Sequence, residues 1–262
     1  MKRLFVDTKG GEIHCRTGGT GDPLLLLHGL PSSSDEFSEI ILILSQHLQV
    51  IAMDLPLYGD SYKPERELDI EDLAQVTLDF LDALNIQKTH IGGHHTGASV
   101  AVELAAEHSH RVKKLILSGC PALTPEQGRT LIENSPYTEL EITPEGWFLR
   151  TIWDFVMARY PYDRMDKAYE FALDYMKAGP RAEEGHRACF GYDILPKLRK
   201  IKQPTLAMCG DKDVCFQYHA TTLKSIPHAQ PYIIKGGNVH TPRLFPQEWA
   251  RAVMEFLETN SA

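Results

Sequence analysis

The chain of 262 residues has few cysteines and lacks the long apolar segments that cross or target membranes. Its five cysteines are scattered without CxxC spacing, which disfavours both a disulfide framework and a thiolate zinc site. No apolar run approaches the length of a bilayer span, and residues 1–7 lack the apolar region of a signal peptide. We therefore expect reduced thiols, a cytoplasmic location and no membrane partner.

Positive charge is also scarce, because 27 Lys and Arg residues face 35 Asp and Glu residues, for a net charge of −8. An acidic surface repels phosphate backbones and anionic lipid, so we expect no nucleic-acid partner. The expected partner is a small-molecule substrate, and a homodimer is left open. Neither the G-x-G-x-x-G fingerprint nor the H-E-x-x-H motif occurs, and the adjacent His94 and His95 are expected to face different directions. We expect no cofactor and no metal.

Apolar runs alternate with helical patterns along most of the chain. Strands are predicted at 3–8, 12–17, 24–27, 49–53, 89–93, 113–118, 205–209 and 231–234. Helices are predicted at 35–48, 69–84, 97–108 and 249–257. This alternation predicts an α/β fold with a mostly parallel, doubly wound sheet of about eight strands, covered by helices on both faces.

Residues 123–197 interrupt the alternation with a helical, aromatic-rich pattern that contains no convincing strand. Because ligands bind at the carboxyl ends of parallel strands, we predict a helical cap over those ends, with 1–122 and 198–262 forming the core. Plain packing helices are the alternative. The aromatic residues between Trp147 and Tyr162 either line an apolar pocket or pack the cap on the core.

Four motifs follow the predicted strands in a fixed order. They are His28-Gly29-Leu30-Pro31-Ser32, the segment Asp54 to Ser61, Gly93-His94-His95-Thr96-Gly97, and the pair Gly210-Asp211-Lys212-Asp213 and Gly236-Gly237-Asn238-Val239-His240. In this order and spacing the chain resembles the α/β-hydrolase superfamily from about residue 4 to 258. The resemblance implies an α/β-hydrolase fold with a cap and an active site at the strand ends.

The third motif resembles the nucleophile elbow of that superfamily, a sharp strand-to-helix turn whose central residue is strained and whose neighbours are small. Gly93 and Gly97 meet the need for small neighbours. The central residue, however, is His95 where the G-x-S-x-G form has serine, and Ser99 lies one turn too late to replace it. His94 is expected to be packed rather than catalytic.

The resemblance also implies roles for residues after the last two strands. His240 would be the general base, oriented by Asp213, with Asp211 as the less favoured acid. The predicted catalytic residues are therefore His95, Asp213 and His240.

Backbone N–H groups would complete the site. The resemblance implies that those of Leu30 and Thr96 form the oxyanion hole. His28 and Asp54 are expected to hold loops in place.

Three functions are compatible with a histidine at the elbow. With an ordinary pKa near 6.5, His95 would be largely neutral at pH 7 and could attack an ester, lactone or activated C–C bond of a small, partly apolar carbonyl compound. Alternatively, His95 and His240 would form an acid–base pair for elimination, isomerisation or cyclisation. In the third reading catalysis is lost and the pocket only binds a ligand. The retained Asp213, His240 and loop glycines favour catalysis.

Overall fold

The structure is a computed structural model that describes residues 1–134 and 141–259. Its strands are β1 (Lys2–Thr8), β2 (Gly11–Gly18), β3 (Pro23–Leu27), β4 (Gln49–Met53), β5 (Thr89–His94), β6 (Val112–Ser118), β7 (Thr205–Gly210) and β8 (Gln230–Ile234). The α-helices in this described part are α1 (Ser38–Leu44), α2 (Ile70–Ala83), α3 (Thr96–Glu107), α4 (Pro125–Glu133), α5 (Trp147–Met157), α6 (Met165–Ala178), α7 (Glu184–Gly191), α8 (Ile194–Leu198), α9 (Phe216–Ser225), α10 (Thr241–Leu244) and α11 (Pro246–Glu258).

The eight strands form one sheet in the order β1-β2-β4-β3-β5-β6-β7-β8. The β1–β2 and β2–β4 pairs are antiparallel, and the remaining pairs are parallel. Every predicted strand agrees with its observed counterpart to within one residue at each end. The predicted fold class, with its mostly parallel eight-stranded sheet, is confirmed. The helix predicted at 35–48 is shorter, because a 3₁₀ turn precedes α1.

Each central strand contributes side chains to two hydrophobic layers, because successive residues of a strand face opposite sides of the sheet. Leu25 and Leu27 belong to the layer that packs beneath α2 and α3, whereas Leu24 and Leu26 pack with α1 and α11. All four are completely buried, which explains why this strand is a continuous apolar run. Helices therefore cover both faces of the sheet. The loops that follow the parallel strands lie at the carboxyl edge of the sheet.

Helices α4 to α8 lie between β6 and β7 in the chain, and no strand occurs among the described residues of that segment. Buried polar contacts tie these helices to the sheet-bearing part. The Tyr58 hydroxyl donates to the Ala182 carbonyl and accepts the Gly185 N–H, both at 3.0 Å. Arg243 of α10, the short helix that follows His240, forms a buried ion pair with Asp174 of α6. The assignment of 123–197 as a functional cap stays a prediction.

None of the helices in residues 1–134 and 141–259 is both long enough and apolar enough to span a bilayer.

Candidate active site

His95 occupies a strained turn between β5 and α3. Its φ of 48° and ψ of −113° lie in a region that non-glycine residues rarely adopt, at a cost of about 1–3 kcal/mol. The flanking glycines allow close backbone approach. A Cβ on Gly93 would lie 2.2 Å from the Gly97 carbonyl oxygen, and a Cβ on Gly97 would lie 2.1 Å from that of Leu27. The turn therefore has the tight geometry that the motif predicts.

His94 is a packed residue, in agreement with its expected role. Its Nε2 donates to the Val239 carbonyl at 3.0 Å, and its Nδ1 accepts from the Ser118 hydroxyl at 3.1 Å. Ser118 in turn accepts the Trp249 indole N–H at 3.2 Å. Burial lowers the pKa of His94 to about 3, so the ring is neutral at neutral pH. This chain of hydrogen bonds joins β5, β6 and α11 to the loop that carries His240.

We expect Ser118→Ala to destabilise the protein by about 1–3 kcal/mol, since it leaves two buried polar groups, on Trp249 and His94, without their partner. The free energy of unfolding, measured by urea denaturation, checks this. Ser45→Ala is the control, because that hydroxyl makes only a long bond of 3.4 Å near the surface. Equal stability of the two variants would contradict the structural role assigned to Ser118.

The Asp213 carboxylate contacts His95. The Nε2 of His95 lies 3.0 Å from Oδ1 and 2.9 Å from Oδ2 of this carboxylate. The Asp213 side chain is 1% exposed and that of His95 is 20% exposed. The expectation that Asp213 orients His240 is therefore wrong, because the longer elbow side chain reaches the carboxylate itself.

The charges of this pair follow from the contact. Burial alone would lower the pKa of His95, but the Asp213 carboxylate and the Cys215 side chain outweigh burial and raise that pKa well above 6.5. Burial would likewise raise the pKa of Asp213, but the His95 ring lowers it to about 2. His95 is thus mainly an imidazolium at pH 7, contrary to the expectation of a largely neutral ring.

His240 lies in an aromatic environment instead. Its ring stacks on Tyr160 with centroids 4.3 Å apart and meets the ring of Phe171 edge-on at 4.6 Å. Within the described residues, its Nε2 has no hydrogen-bond partner. Burial, followed by the charge of Arg243, lowers the pKa of His240 well below 6.5, so this ring is neutral. A catalytic role for His240 stays a prediction, and it lacks the expected carboxylate support.

Asp54 and His28 hold loops in place, as expected. Asp54 accepts the Ser34 N–H at 2.6 Å, and the Nε2 of His28 accepts the Leu55 N–H at 2.9 Å.

Asp211, the less favoured acid, accepts the Gly236 N–H at 2.7 Å through its Oδ1. Asp213 is instead the carboxylate that contacts an imidazole, that of His95.

Leu30 and Thr96 border the same cavity as His95 and His240, with a volume of about 310 Å³. Thr96 is the first residue of α3, so its N–H has no acceptor one turn earlier in the helix. The Gly29 N–H is already bonded to Glu36 at 2.9 Å, which leaves Leu30 as the donor of that loop. The oxyanion hole stays a prediction that this placement favours. The walls of the cavity also include Leu123, Phe155, Arg159, Phe171, Tyr175, Phe190 and Cys215.

The aromatic residues of the stretch 147–162 do not share one environment. Phe155 lines the cavity, whereas Trp147 and Tyr162 are largely exposed. Neither alternative predicted for this stretch therefore holds for all of it.

Sequence reasoning missed three residues of the site. Glu36 lines the cavity, and burial raises the pKa of its carboxyl. Gly119 follows β6 and lies against the His95 ring, while Cys215 donates its N–H to Asp213 Oδ1 at 2.8 Å. The proximity of Cys215 to Asp213 in sequence was the one available signal. Glu36 and Gly119 gave none, because their importance depends on contacts across the fold.

The site does not fit a metal ion, although ligand atoms of His94, His95 and Asp213 lie within 4.8 Å of one another. The two rings stack with centroids 4.1 Å apart, so the expectation that adjacent histidines face different directions is wrong. Stacked rings direct their nitrogen lone pairs along nearly parallel planes rather than to one point, and both nitrogens of His94 are already hydrogen-bonded. The absence of a resident metal or cofactor stays a prediction.

The comparison with known proteins identifies the family. Residues 22–238 match the alpha/beta hydrolase fold family. The chain belongs to this family. It is 27% identical to the 2-hydroxy-6-oxo-6-(2'-aminophenyl)hexa-2,4-dienoic acid hydrolase of Metapseudomonas resinovorans, over 97% of this chain and 90% of that protein. It is 31% identical to Lipase 1 of Psychrobacter immobilis, over 88% of this chain and 75% of that lipase.

Two further matches are shorter or show the fold alone. The match to the soluble epoxide hydrolase of a Corynebacterium species has 37% identity but spans only 44% of this α/β-hydrolase and 40% of that enzyme. The crystal structure of the enol-lactonase from Burkholderia xenovorans superimposes with a TM-score of 0.77 at 21% identity, over 97% of this chain and 99% of the lactonase. The three relatives described here are named as hydrolases or as a lipase.

Proposed function

We propose that this α/β-hydrolase hydrolyses a small, partly apolar carbonyl compound, such as an ester, a lactone or an activated C–C bond, with the His95–Asp213 pair as its proton-transfer group. The observation that carries the proposal is the contact of both Asp213 oxygens with Nε2 of His95, at the elbow and facing the cavity. The relatives named as a lipase and a dienoic acid hydrolase, and the lactonase of the same fold, support this range of substrates.

The contact with Asp213 fixes which nitrogen of His95 is available for chemistry. A carboxylate accepts only, so Nε2 carries a proton and Nδ1 is left as the base in the neutral ring. In the usual triad a carboxylate holds the histidine tautomer in the same manner. His95 Nδ1 would take a proton from water as that water attacks the carbonyl, and the N–H groups of Leu30 and Thr96 would stabilise the oxyanion.

His95 could act on the substrate in two ways, by direct attack or by activating water. The imidazolium form, which Asp213 stabilises, has no free lone pair, so either route would use Nδ1 of the neutral fraction. Positioned acid–base groups contribute about 10²- to 10⁴-fold to a rate. We infer general-base catalysis without an acyl-enzyme, and the search for an acyl adduct distinguishes the two routes.

Hydrolysis of p-nitrophenyl acetate by the parent and by His95→Ala tests the proposal. We expect turnover without a burst, no acyl adduct in the intact mass, and a fall of about 10²- to 10⁴-fold in the alanine variant. His95→Ser provides a further comparison, because it supplies the usual nucleophile. An acyl group on His95 would contradict water attack. Equal rates of the parent and the alanine variant would remove His95 from the mechanism.

The pH dependence should report the His95–Asp213 pair. The neutral ring is the active form, and the pKa of His95 is raised well above 6.5, so kcat/KM should rise with pH through neutrality. Asp213→Asn removes the charge that raises this pKa, so the rise in the residual kcat/KM of this variant should move to lower pH. Asp211→Asn is the matched control on the same loop and should not move it. A profile that is flat from pH 6 to 9 would contradict the assignment.

A second candidate is proton transfer without hydrolysis, as in an elimination or isomerisation. The observation that favours it is a neutral His240 and a protonated His95 on the walls of one cavity, which would serve as base and acid. Exchange of the α-protons of a cyclic ketone in D₂O, followed by NMR, tests it. Exchange that requires both histidines supports this function, and exchange unaffected by His240→Ala argues against it.

A further inference from the structure

We propose that the buried Asp174–Arg243 ion pair positions the loop that carries Leu30, so that helices α6 and α10 set the geometry of the oxyanion hole. Where it concerns catalysis, this inference rests on the proposed function. Nη2 of Arg243, on α10, lies 2.5 Å from Oδ2 of Asp174, on α6, and the two side chains are 1% and 7% exposed. Burial raises the pKa of Asp174 to about 6, so this carboxylate is mainly ionised at pH 7.

Two serines that follow Leu30 and Pro31 are hydrogen-bonded to the ion pair. The Ser33 hydroxyl donates to Oδ1 of Asp174 at 2.8 Å, and the Ser32 hydroxyl donates to Oδ2 at 3.3 Å. Ser32 Oγ also accepts an N–H of the Arg243 guanidinium at 2.9 Å. Both serines are buried. Polar contacts across the fold therefore fix this part of the loop.

These contacts reach Leu30 through one tight turn. The Ser32 N–H donates to the Gly29 carbonyl at 3.0 Å, so Leu30 lies inside a turn whose second end is bonded to Asp174. The first end is held separately, because the Gly29 N–H donates to Glu36. The direction of the Leu30 N–H is thus set by contacts at both ends of the turn, and one of these ends depends on α6.

Arg243 connects the same loop to the segment that carries His240. Its backbone N–H donates to the His240 carbonyl at 3.0 Å. Its Nη1 lies 3.1 Å from a carboxylate oxygen of Asp35, in the turn after the loop, and 3.3 Å from one of Glu170 on α6. Because the guanidinium is planar, bonds from both of its terminal nitrogens fix its orientation as well as its position. The ion pair therefore joins the oxyanion loop, α6 and the His240 segment.

A positioning role predicts a kinetic effect that a purely structural role does not. A donor to the oxyanion acts mainly in the transition state, so its displacement lowers kcat and leaves KM nearly unchanged. A displacement of about 1 Å can cost about 10²-fold in rate. If the ion pair only stabilised the fold, its loss would lower stability without this change in kcat.

Asp174→Asn tests the proposal, because asparagine keeps the size of the side chain and a carbonyl acceptor but removes the charge. We expect kcat for p-nitrophenyl acetate to fall about 10- to 100-fold while KM changes by less than about twofold. Amide hydrogen exchange, measured by mass spectrometry, should become about tenfold faster in the peptide of residues 28–37. Asp154→Asn is the matched control on α5, since its ion pair with Arg150 is exposed and lies within one helix, and it should change neither quantity.

Ser32→Ala provides a second variant that keeps the ion pair and removes only the bonds of the serine hydroxyl to it. It should change kcat and the exchange of the same peptide in the same directions. It also decides the question if Asp174→Asn does not fold, because the loss of one partner of a buried ion pair can destabilise a protein strongly. Circular dichroism verifies the fold of each variant.

Unchanged exchange of the 28–37 peptide in the folded variants would overturn the proposal. Faster exchange together with the kcat of the parent would also overturn it, because the loop would then move without effect on the chemistry. Exchange is measured without substrate, so it tests the position of the loop separately from catalysis. A parent that hydrolyses no ester would contradict the proposed function, and the exchange rates would still decide whether the ion pair positions this loop.

Discussion

Asp213→Asn is expected to lower kcat/KM for the hydrolysed ester by about 10²- to 10⁴-fold. The asparagine has the size of the aspartate but no charge, so it no longer stabilises a protonated His95. It can also donate its amide N–H₂ to Nε2, in which case the ring proton moves to Nδ1. Nδ1, the proposed base, would then carry a proton and could not accept one from water.

Steady-state kinetics with p-nitrophenyl acetate measure this effect, and thermal unfolding verifies that the variant is folded. Asp211→Asn is the control, because that carboxylate accepts the Gly236 N–H in the neighbouring loop. The control should retain parent activity. If the two variants behave alike, Asp213 has no special relation to the chemistry.

Gly119→Ala is expected to abolish activity nearly as completely, although residue 119 has no chemical group to offer. A Cβ at this position would lie 2.5 Å from Cδ2 and 2.7 Å from Nε2 of His95, and 3.1 Å from Oδ2 of Asp213. The ring would have to leave the carboxylate. The φ of +58° adds about 1–2 kcal/mol of backbone strain for an alanine. Gly119 is thus the residue that makes room for an imidazole at the elbow.

Gly236→Ala separates the collision from the backbone strain. Gly236 has a similar φ of +77°, but the atom nearest to its added Cβ is Phe245 Cζ at 3.6 Å, an ordinary contact. Both variants should lose comparable stability in urea, and only Gly119→Ala should lose kcat/KM and the downfield NMR signal of a carboxylate-bonded imidazole. An active Gly119→Ala enzyme would show that the His95–Asp213 contact is dispensable.

The sheet could be predicted from the sequence because its determinants are local. The run at 24–27 is apolar at every position because it is buried on both faces, and the run at 50–53 behaves likewise. The elbow could be predicted for a related reason. Gly93 is required by the approach of Gly97 within the same turn, whereas Gly97 is required by the approach of the Leu27 carbonyl at the end of β3.

The choice of histidine that pairs with Asp213 could not be predicted from local sequence. The motifs place two histidines and one carboxylate at the same edge of the sheet, but they do not state which ring reaches Asp213. That depends on side-chain reach and on where Tyr160 and Phe171 pack, and these two residues belong to a segment without strand periodicity. The directions in which the pKa values of His95 and His240 shift follow from this packing. They could therefore not be predicted from the sequence either.

Asp213 carries its charge in a buried position, and within the described residues the His95 ring is the imidazole hydrogen-bonded to it. A small side chain at position 95 would leave this carboxylate buried without that partner, which is costly in free energy. The residue at position 95 therefore contributes to the stability of the fold as well as to the chemistry of the cavity.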